Sequence, residues 1–307
     1  MEEFLKQLIE ELEERLSYTE DDYTIHQYTV CKTNDTVLHS VVIRLGDEQI
    51  SKNIYVEPYF CMNMSGTEMD EIVDAIIKES RNRDEANEVI EAFADSLAYE
   101  EVKDKIILRV ISKELNKEYL NDKVYVDIED TDLVAVFYMF VSKSDNSLIN
   151  TYVDKKLLEH WGIDSGNDIY DLAILNTMRI LPPTINSMNS IIDGCNLESV
   201  SDEVVEEVGN TMFVLTNDMS VNGATAMFYD GVLKQFAITH NTDKVVIMPS
   251  SRHEVILLPH YEEVNYKSSY RMVEEVNQYV VGKMDILSNS VYIYDLDTDS
   301  IRIWKEG

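Results

Sequence analysis

The chain has 307 residues, 58 acidic and 26 basic, for a formal net charge of −32 at pH 7. That sign works against every mode of binding that runs on clustered lysine and arginine, so direct contact with DNA, RNA or an anionic membrane surface is not expected. With 45% hydrophobic and 9% aromatic residues, ten glycines and five prolines, the chain reads as a folded protein with a sizeable core and no long flexible linker.

Taken in chain order, Phe4, Leu5, Ile9, Leu12 and Leu16 fall at helical spacing and predict an amphipathic opening helix over 2–16, with acids in its first turn to suit the helix dipole. Two β-rich runs, Tyr23–Thr33 and Thr36–Leu45, flank Asn34-Asp35 and predict a hairpin. A short strand, Ile50–Tyr55, ends at Pro58. Residues 67–98 read as helix, broken or bent by the polar stretch 78–84. A strand at Lys105–Ser112 and a short helix at Lys113–Leu120 precede two strands, Val124–Ile128 and Leu133–Val141. The near-continuous apolar run of the latter places it centrally in a sheet. Asp145-Asn146 predicts a turn into Leu148–Val153. Helices follow at Lys155–Trp161 and Asp168–Met178, the second capped by Ser165 or Asn167 and ended by Pro182-Pro183.

Beyond an acidic stretch at 196–210, the elements are a strand at Met212–Thr216, an undecided segment at Ala224–Tyr229 and a helix at Val232–Ile238. Strands at Lys244–Met248 and Glu254–Leu258 come next, then a long helix at Tyr266–Val281. A closing hairpin spans Val291–Tyr294 and Ser300–Trp304. Hairpins without regular βαβ alternation predict an α+β fold. The composition of 196–210 suggests an acidic connector between an N-terminal α+β region (1–195) and a C-terminal α+β unit (211–307).

Several blocks carry a family resemblance: Asn176-Thr177-Met178-Arg179 with Pro182-Pro183, Asn222-Gly223-Ala224, Tyr229-Asp230-Gly231-Val232-Leu233, the run from Pro249 to Pro259, and Leu287-Ser288-Asn289-Ser290. Together they resemble the bacterial family catalogued as domain of unknown function 5688, over about Tyr23 to Trp304. The resemblance implies a bacterial or phage-borne intracellular α+β protein. It brings no catalytic residues.

For chemistry, Ser250-Ser251-Arg252-His253-Glu254 is where hydroxyls, a base and a cation cluster locally. One reading makes His253 the base for Ser250 or Ser251, with Glu254 orienting the ring. The other places Pro249-Ser250-Ser251 in a turn between two strands, because adjacent residues of an extended backbone face opposite ways. Asn222-Gly223 reads as a turn needing positive φ. The six histidines show no zinc-type spacing, and Asp295–Asp299 lacks the glycine and terminal glutamate of a calcium loop, so neither metal nor cofactor is expected. Cys31, Cys61 and Cys195 follow no ligand pattern, no secretory leader is recognisable at the start, and no run approaches the ~20 apolar residues of a membrane span. A cytoplasmic protein with free thiols is the expectation.

The function expected is non-enzymatic: an acidic surface engaging a basic protein, with Glu203, Glu206, Glu207, Tyr261, Glu262 and Glu263 as the binding residues and Tyr266 and Tyr270 beside them. Its sharpest form is a phage or mobile-element inhibitor that mimics nucleic acid in the basic cleft of a host defence protein. The alternatives are a hydrolase using Ser250 or Ser251 with His253, and a small-ligand-binding protein.

Overall fold

The computed structural model describes residues 1–19, 22–46, 52–81, 98–144, 147–194, 212–260 and 266–304. The chain forms two units, Met1–Ser96 and Leu97–Gly307. It is α+β in both, and the strands pair antiparallel throughout.

In the first unit, α1 (Glu2–Ser17) buries Phe4, Leu8, Leu12 and Leu16 on a four-residue spacing, with Leu5 and Ile9 on the flank of that stripe. A three-stranded sheet follows, β1 (Tyr23–Lys32), β2 (Thr36–Leu45) and β3 (Ile54–Tyr55). The predicted hairpin forms, with Asn34 and Asp35 both in the left-handed region (φ 59 and 47) that these short polar residues tolerate. Pro58 does not simply end a strand. It sits in the first turn of α2 (Glu57–Met64), where a missing amide costs no helical hydrogen bond. The helix expected over 67–98 is seen as α3 (Met69–Arg81), whose Ile72, Val73 and Ile76 complete the core with α1 and β2; residues 82–97 lie outside the described residues.

The second unit opens with α4 (Tyr99–Val102) and a four-stranded sheet of β4 (Ile106–Ser112), β5 (Tyr125–Asp127), β6 (Leu133–Ser144) and β7 (Ser147–Tyr152). The strand β6 is central, as its apolar run predicts, and buries every side chain from Leu133 to Met139. Helices α5 (Lys155–His160) and α6 (Asn167–Ile180) follow. Neither Ser165 nor Asn167 caps α6; the N-cap is Gly166, and Ser165 instead donates to the Asp168 carboxylate through its amide (2.9 Å) and hydroxyl (3.2 Å). The reason is space: a Cβ on Gly166 would come within 2.8 Å of the Phe137 ring and 2.9 Å of Val126.

A six-stranded sheet is built from β8 (Pro183–Ser187), then, after α7 (Met188–Gly194), from β9 (Phe213–Asn217). A 3₁₀ segment (Gly223–Phe228) and α8 (Val232–Thr239) lead to β10 (Lys244–Ser251) and β11 (Glu254–Pro259). Then come α9 (Tyr266–Tyr279), β12 (Tyr292–Asp295) and β13 (Ser300–Ile303). The strand order is β13-β12-β10-β11-β9-β8. One face packs Leu215, Val245, Ile247, Val255 and Leu257 against Leu233 and Phe236 of α8, and also against Val110 and Leu133 of the other sheet. The opposite face packs Val246, Met248 and Val291 against Val273 of α9.

The expected boundary at 196–210 is therefore displaced. Strand β8, on one side of it, pairs with β9 on the other, so both belong to one sheet, and the chain divides between Ser96 and Leu97 instead. Residues 196–210 lie outside the described residues.

Edge strand β4 shows what the Asn-Thr-Met-Arg block does. The Leu108 and Val110 amides point away from the sheet and donate to the hydroxyls of Thr177 (2.9 Å) and Thr225 (3.2 Å). Asn176 donates to the carbonyls of Lys103 and Ile106, and Arg179 to that of Asp104. Asn176, Thr177 and Thr225 are thereby buried with hydrogen bonds made.

Candidate functional site

The Ser250–Glu254 segment forms a hairpin tip, with its turn at Arg252-His253. Pro249, Ser250 and Ser251 belong to β10, correcting the turn expected there, and a register shift falls between Pro249 and Ser251. The Ser250 hydroxyl donates to the Glu254 carboxylate at 2.9 Å, and Ser251 Oγ accepts the His253 amide at 3.0 Å. The His253 ring turns elsewhere: Nδ1 accepts the Asn222 amide (3.3 Å), which leaves the proton on Nε2 to donate to Asp285 (3.2 Å). A ring with its lone pair and its proton both engaged by structure has none to offer a serine hydroxyl, so no nucleophile–base pair is assembled here.

Asp285, which nothing in the sequence connects to this segment, organises it. Its carboxylate also accepts from Arg252 Nε (2.8 Å), and its carbonyl accepts the Arg252 amide (2.7 Å). Burial pushes the Asp285 carboxyl up, but the Arg252 and His253 hydrogen bonds outweigh it and hold it below the ordinary value. Asn222 adopts the positive φ (53), not Gly223. Gly223 is required for close approach, since a Cβ there would lie 2.1 Å from Thr216 Oγ1 and 2.5 Å from the His253 carbonyl.

The expected binding residues Glu203, Glu206, Glu207, Tyr261, Glu262 and Glu263 all fall outside the described residues. Tyr266 and Tyr270 are half-buried against the α9 face of the sheet, with Tyr266 stacked on Trp304 at 5.7 Å. Of the other tyrosines, three enclose Arg109: its guanidinium lies 4.3 Å over the Tyr138 ring and donates to the Tyr119 hydroxyl, which is 3.0 Å from those of Tyr138 and Tyr152.

A cleft of 430 Å³ lies where α6, the start of α8, the β5–β6 turn and the β12–β13 turn meet. Its floor is apolar, with Ile174, Met178, Met227, Phe228, Leu233 and Ile301. Among the described residues, its rim carries Glu129, Asp130, Asp230 and Asp299 against a single lysine, Lys234. That lysine is committed to Asp299 (2.9 Å), which also accepts from the Tyr294 hydroxyl (2.7 Å). The Tyr294 hydrogen bond first, and Lys234 second, hold the Asp299 carboxyl below its ordinary value. Three rim acids sit at turns: Asp130 and Asp299 have positive φ (56 and 49), and Asp230 precedes Gly231 (φ 76). Turn chemistry thus projects carboxylates over an apolar floor.

This architecture defines an antiparallel α+β protein with a concave, acid-rimmed surface. Among the described residues there is no group of three or more metal-ligating side chains, and no helix is long and apolar enough to cross a membrane. The model of a family of unknown function, DUF5688, matches residues 1–296, and the chain belongs to that family. No curated protein and no solved structure matches it. The blocks that carry the resemblance in large part form clasps: Asn176 to Arg179 on β4 and Asn222-Gly223 against the β10–β11 hairpin, as described above, and the Ser288 and Ser290 hydroxyls on the Asp132 carboxylate.

Proposed function

We propose that this protein is a non-catalytic binding protein whose second unit holds a basic, partly apolar segment of another protein. The observation that carries the reading is the cleft beside α6 and α8, where four carboxylates rim an apolar floor and the one lysine is already paired. An apolar anchor supplies affinity through burial, and the rim supplies steering and selects positive charge. The finer form, an inhibitor that lies in a nucleic-acid channel, asks for carboxylates spaced like phosphates. Acids around an apolar floor suit an amphipathic protein segment better.

The test is binding of a lysine- and leucine-rich peptide, followed by fluorescence anisotropy as salt rises. Asp130→Asn combined with Asp230→Asn is expected to weaken binding about tenfold at low salt and to flatten the salt dependence. Binding that ignores both salt and these substitutions overturns the reading.

A further inference from the structure

Strand β8 ends the six-stranded sheet and, among the described residues, is paired on one side only. Its register with β9 determines which backbone groups are spare. The amides of Asp218 and Met188 donate to the carbonyls of Pro182 (3.0 Å) and Met212 (2.9 Å), and pairing runs unbroken from Pro183↔Asn217 to Ser187↔Phe213. Antiparallel ladders alternate bonded and non-bonded pairs. Thr184 and Asn186 therefore turn their backbone groups to β9, while Pro183, Ile185 and Ser187 turn theirs outward. The Ser187 carbonyl takes the Ser190 hydroxyl (2.7 Å). Among the described residues, what remains is the Pro183 carbonyl, both groups of Ile185 and the Ser187 amide, an edge for a short added strand.

The same three residues direct their side chains to the face that α8 covers, because cross-strand partners share a face and theirs include Phe213 and Leu215. A groove of 580 Å³ runs there between β8 and α8. Phe213 and Phe236 form its floor, with ring centroids 5.2 Å apart, and Ile185 (37% exposed) and Val232 line it. Asp230 stands at the point where this groove meets the acid-rimmed cleft and lines both. Natural edge strands are blunted by charge, bulge or cover. The β8 sequence, Pro-Thr-Ile-Asn-Ser, has neither charge nor register shift, and only Pro183 interrupts its edge.

We propose that a basic, extended segment of the partner adds to β8 as a further strand, its alternate side chains entering the groove between β8 and α8 and its positive charge meeting Asp230. Backbone pairing supplies the affinity and the groove selects the side chains. The proposal rests on the reading of the partner as a basic protein and adds the form in which it is recognised.

The probe is a fluorescent peptide of about eight residues alternating lysine with valine, the period of an added strand, titrated into the full chain at low salt. N-methylation of alternate peptide amides is expected to weaken binding at least about tenfold, as is Ile185→Pro, since the Ile185 amide faces away from β9 and makes no bond among the described residues. Hydrogen exchange at the Ile185 and Ser187 amides is expected to slow when the peptide binds the unaltered protein. Equal binding of the methylated peptide, or unchanged exchange at Ile185, overturns the strand. Should Asp130→Asn with Asp230→Asn still weaken binding in that case, the basic-partner reading survives without it. Exchange at Ile185 that slows with protein concentration alone assigns the edge to a second copy and overturns the proposal.

Discussion

Tyr292 donates its phenol proton to Asp132 at 2.5 Å, joining residues 160 apart in the chain. The ring is fully buried, and the second Asp132 oxygen accepts from the Ser288 (2.6 Å) and Ser290 (3.1 Å) hydroxyls. One carboxylate beside the start of β6 thus clamps β12 and the loop before it. Asp132→Ala strands three hydroxyls, one of them on a buried ring, and is expected to cost about 2–4 kcal/mol in urea unfolding at neutral pH. Asp132→Asn keeps the shape and an acceptor, and should recover part of that loss. A cost below about 1 kcal/mol for Asp132→Ala would show that the clamp contributes little beyond what water supplies.

The same phenol belongs to a group that makes the fold sensitive to alkali. Burial pushes Tyr138 up to about 12, and burial also raises Tyr119, Tyr229 and Tyr294; for Tyr292, burial first and the Asp132 charge second push it well above the ordinary value. Unfolded tyrosine ionises near pH 10, so above that pH the unfolded chain binds fewer protons than the folded one and stability falls as pH rises. Below pH 10 this contribution is fully present. Each such tyrosine contributes up to about 1.4 kcal/mol per pH unit until its folded value is passed. The expected outcome is a delayed, steep rise in absorbance at 295 nm that coincides with loss of circular dichroism. Smooth titration near pH 10 with the fold intact would contradict it.

The threonines that cap edge strand β4 offer a cleaner perturbation. Thr177→Val and Thr225→Val preserve shape but remove the acceptors of two inward-lying amides, those of Leu108 and Val110. Each is expected to cost about 1–3 kcal/mol and to speed amide exchange at its own partner. Thr177→Ser restores the hydroxyl and should recover most of the loss; equal damage from serine and valine would assign the effect to packing instead.

The parts of this fold legible in the sequence are those with local causes. The stripe of α1, the Asn34-Asp35 hairpin and the central strand β6 follow from spacing, turn chemistry and apolar run. Strand β8 is not legible in the sequence because Pro-Thr-Ile-Asn-Ser has no strand pattern of its own and becomes a strand only by pairing with β9. The misplaced boundary has a related cause: the acids of 196–210 mark a change of composition, while the sheet continues across it. At the sites, Asp230-Gly231 announces a turn, but no sequence pattern shows that Asp130, Asp230 and Asp299 converge on one cleft. Asp285 was invisible for the same reason, lying 32 residues from the His253 it orients.

Two glycines test how rigidly the clasps are set. A Cβ on Gly223 would meet Thr216 Oγ1 at 2.1 Å, the His253 carbonyl at 2.5 Å and the Asn217 amide nitrogen at 2.8 Å. Two of these are backbone atoms, and the third is fixed by its own bond to the His253 carbonyl (2.7 Å). A Cβ on Gly166 would meet only side chains, those of Phe137, Val126 and Val124. Gly223→Ala is therefore expected to cost at least about 3 kcal/mol and Gly166→Ala about 1–3 kcal/mol. For a unit of this size the melting temperature should fall by about 10 °C in the first and about 5 °C in the second. Gly223→Ala carries a further consequence, because displacing the 217–224 loop withdraws the Asn222 amide from His253 Nδ1. The ring-proton chemical shifts of His253 then move in proton NMR, whereas Gly166→Ala leaves them unchanged. A neutral Gly223→Ala with an unaltered His253 resonance would mean that the loop yields and that the ring is not held by it.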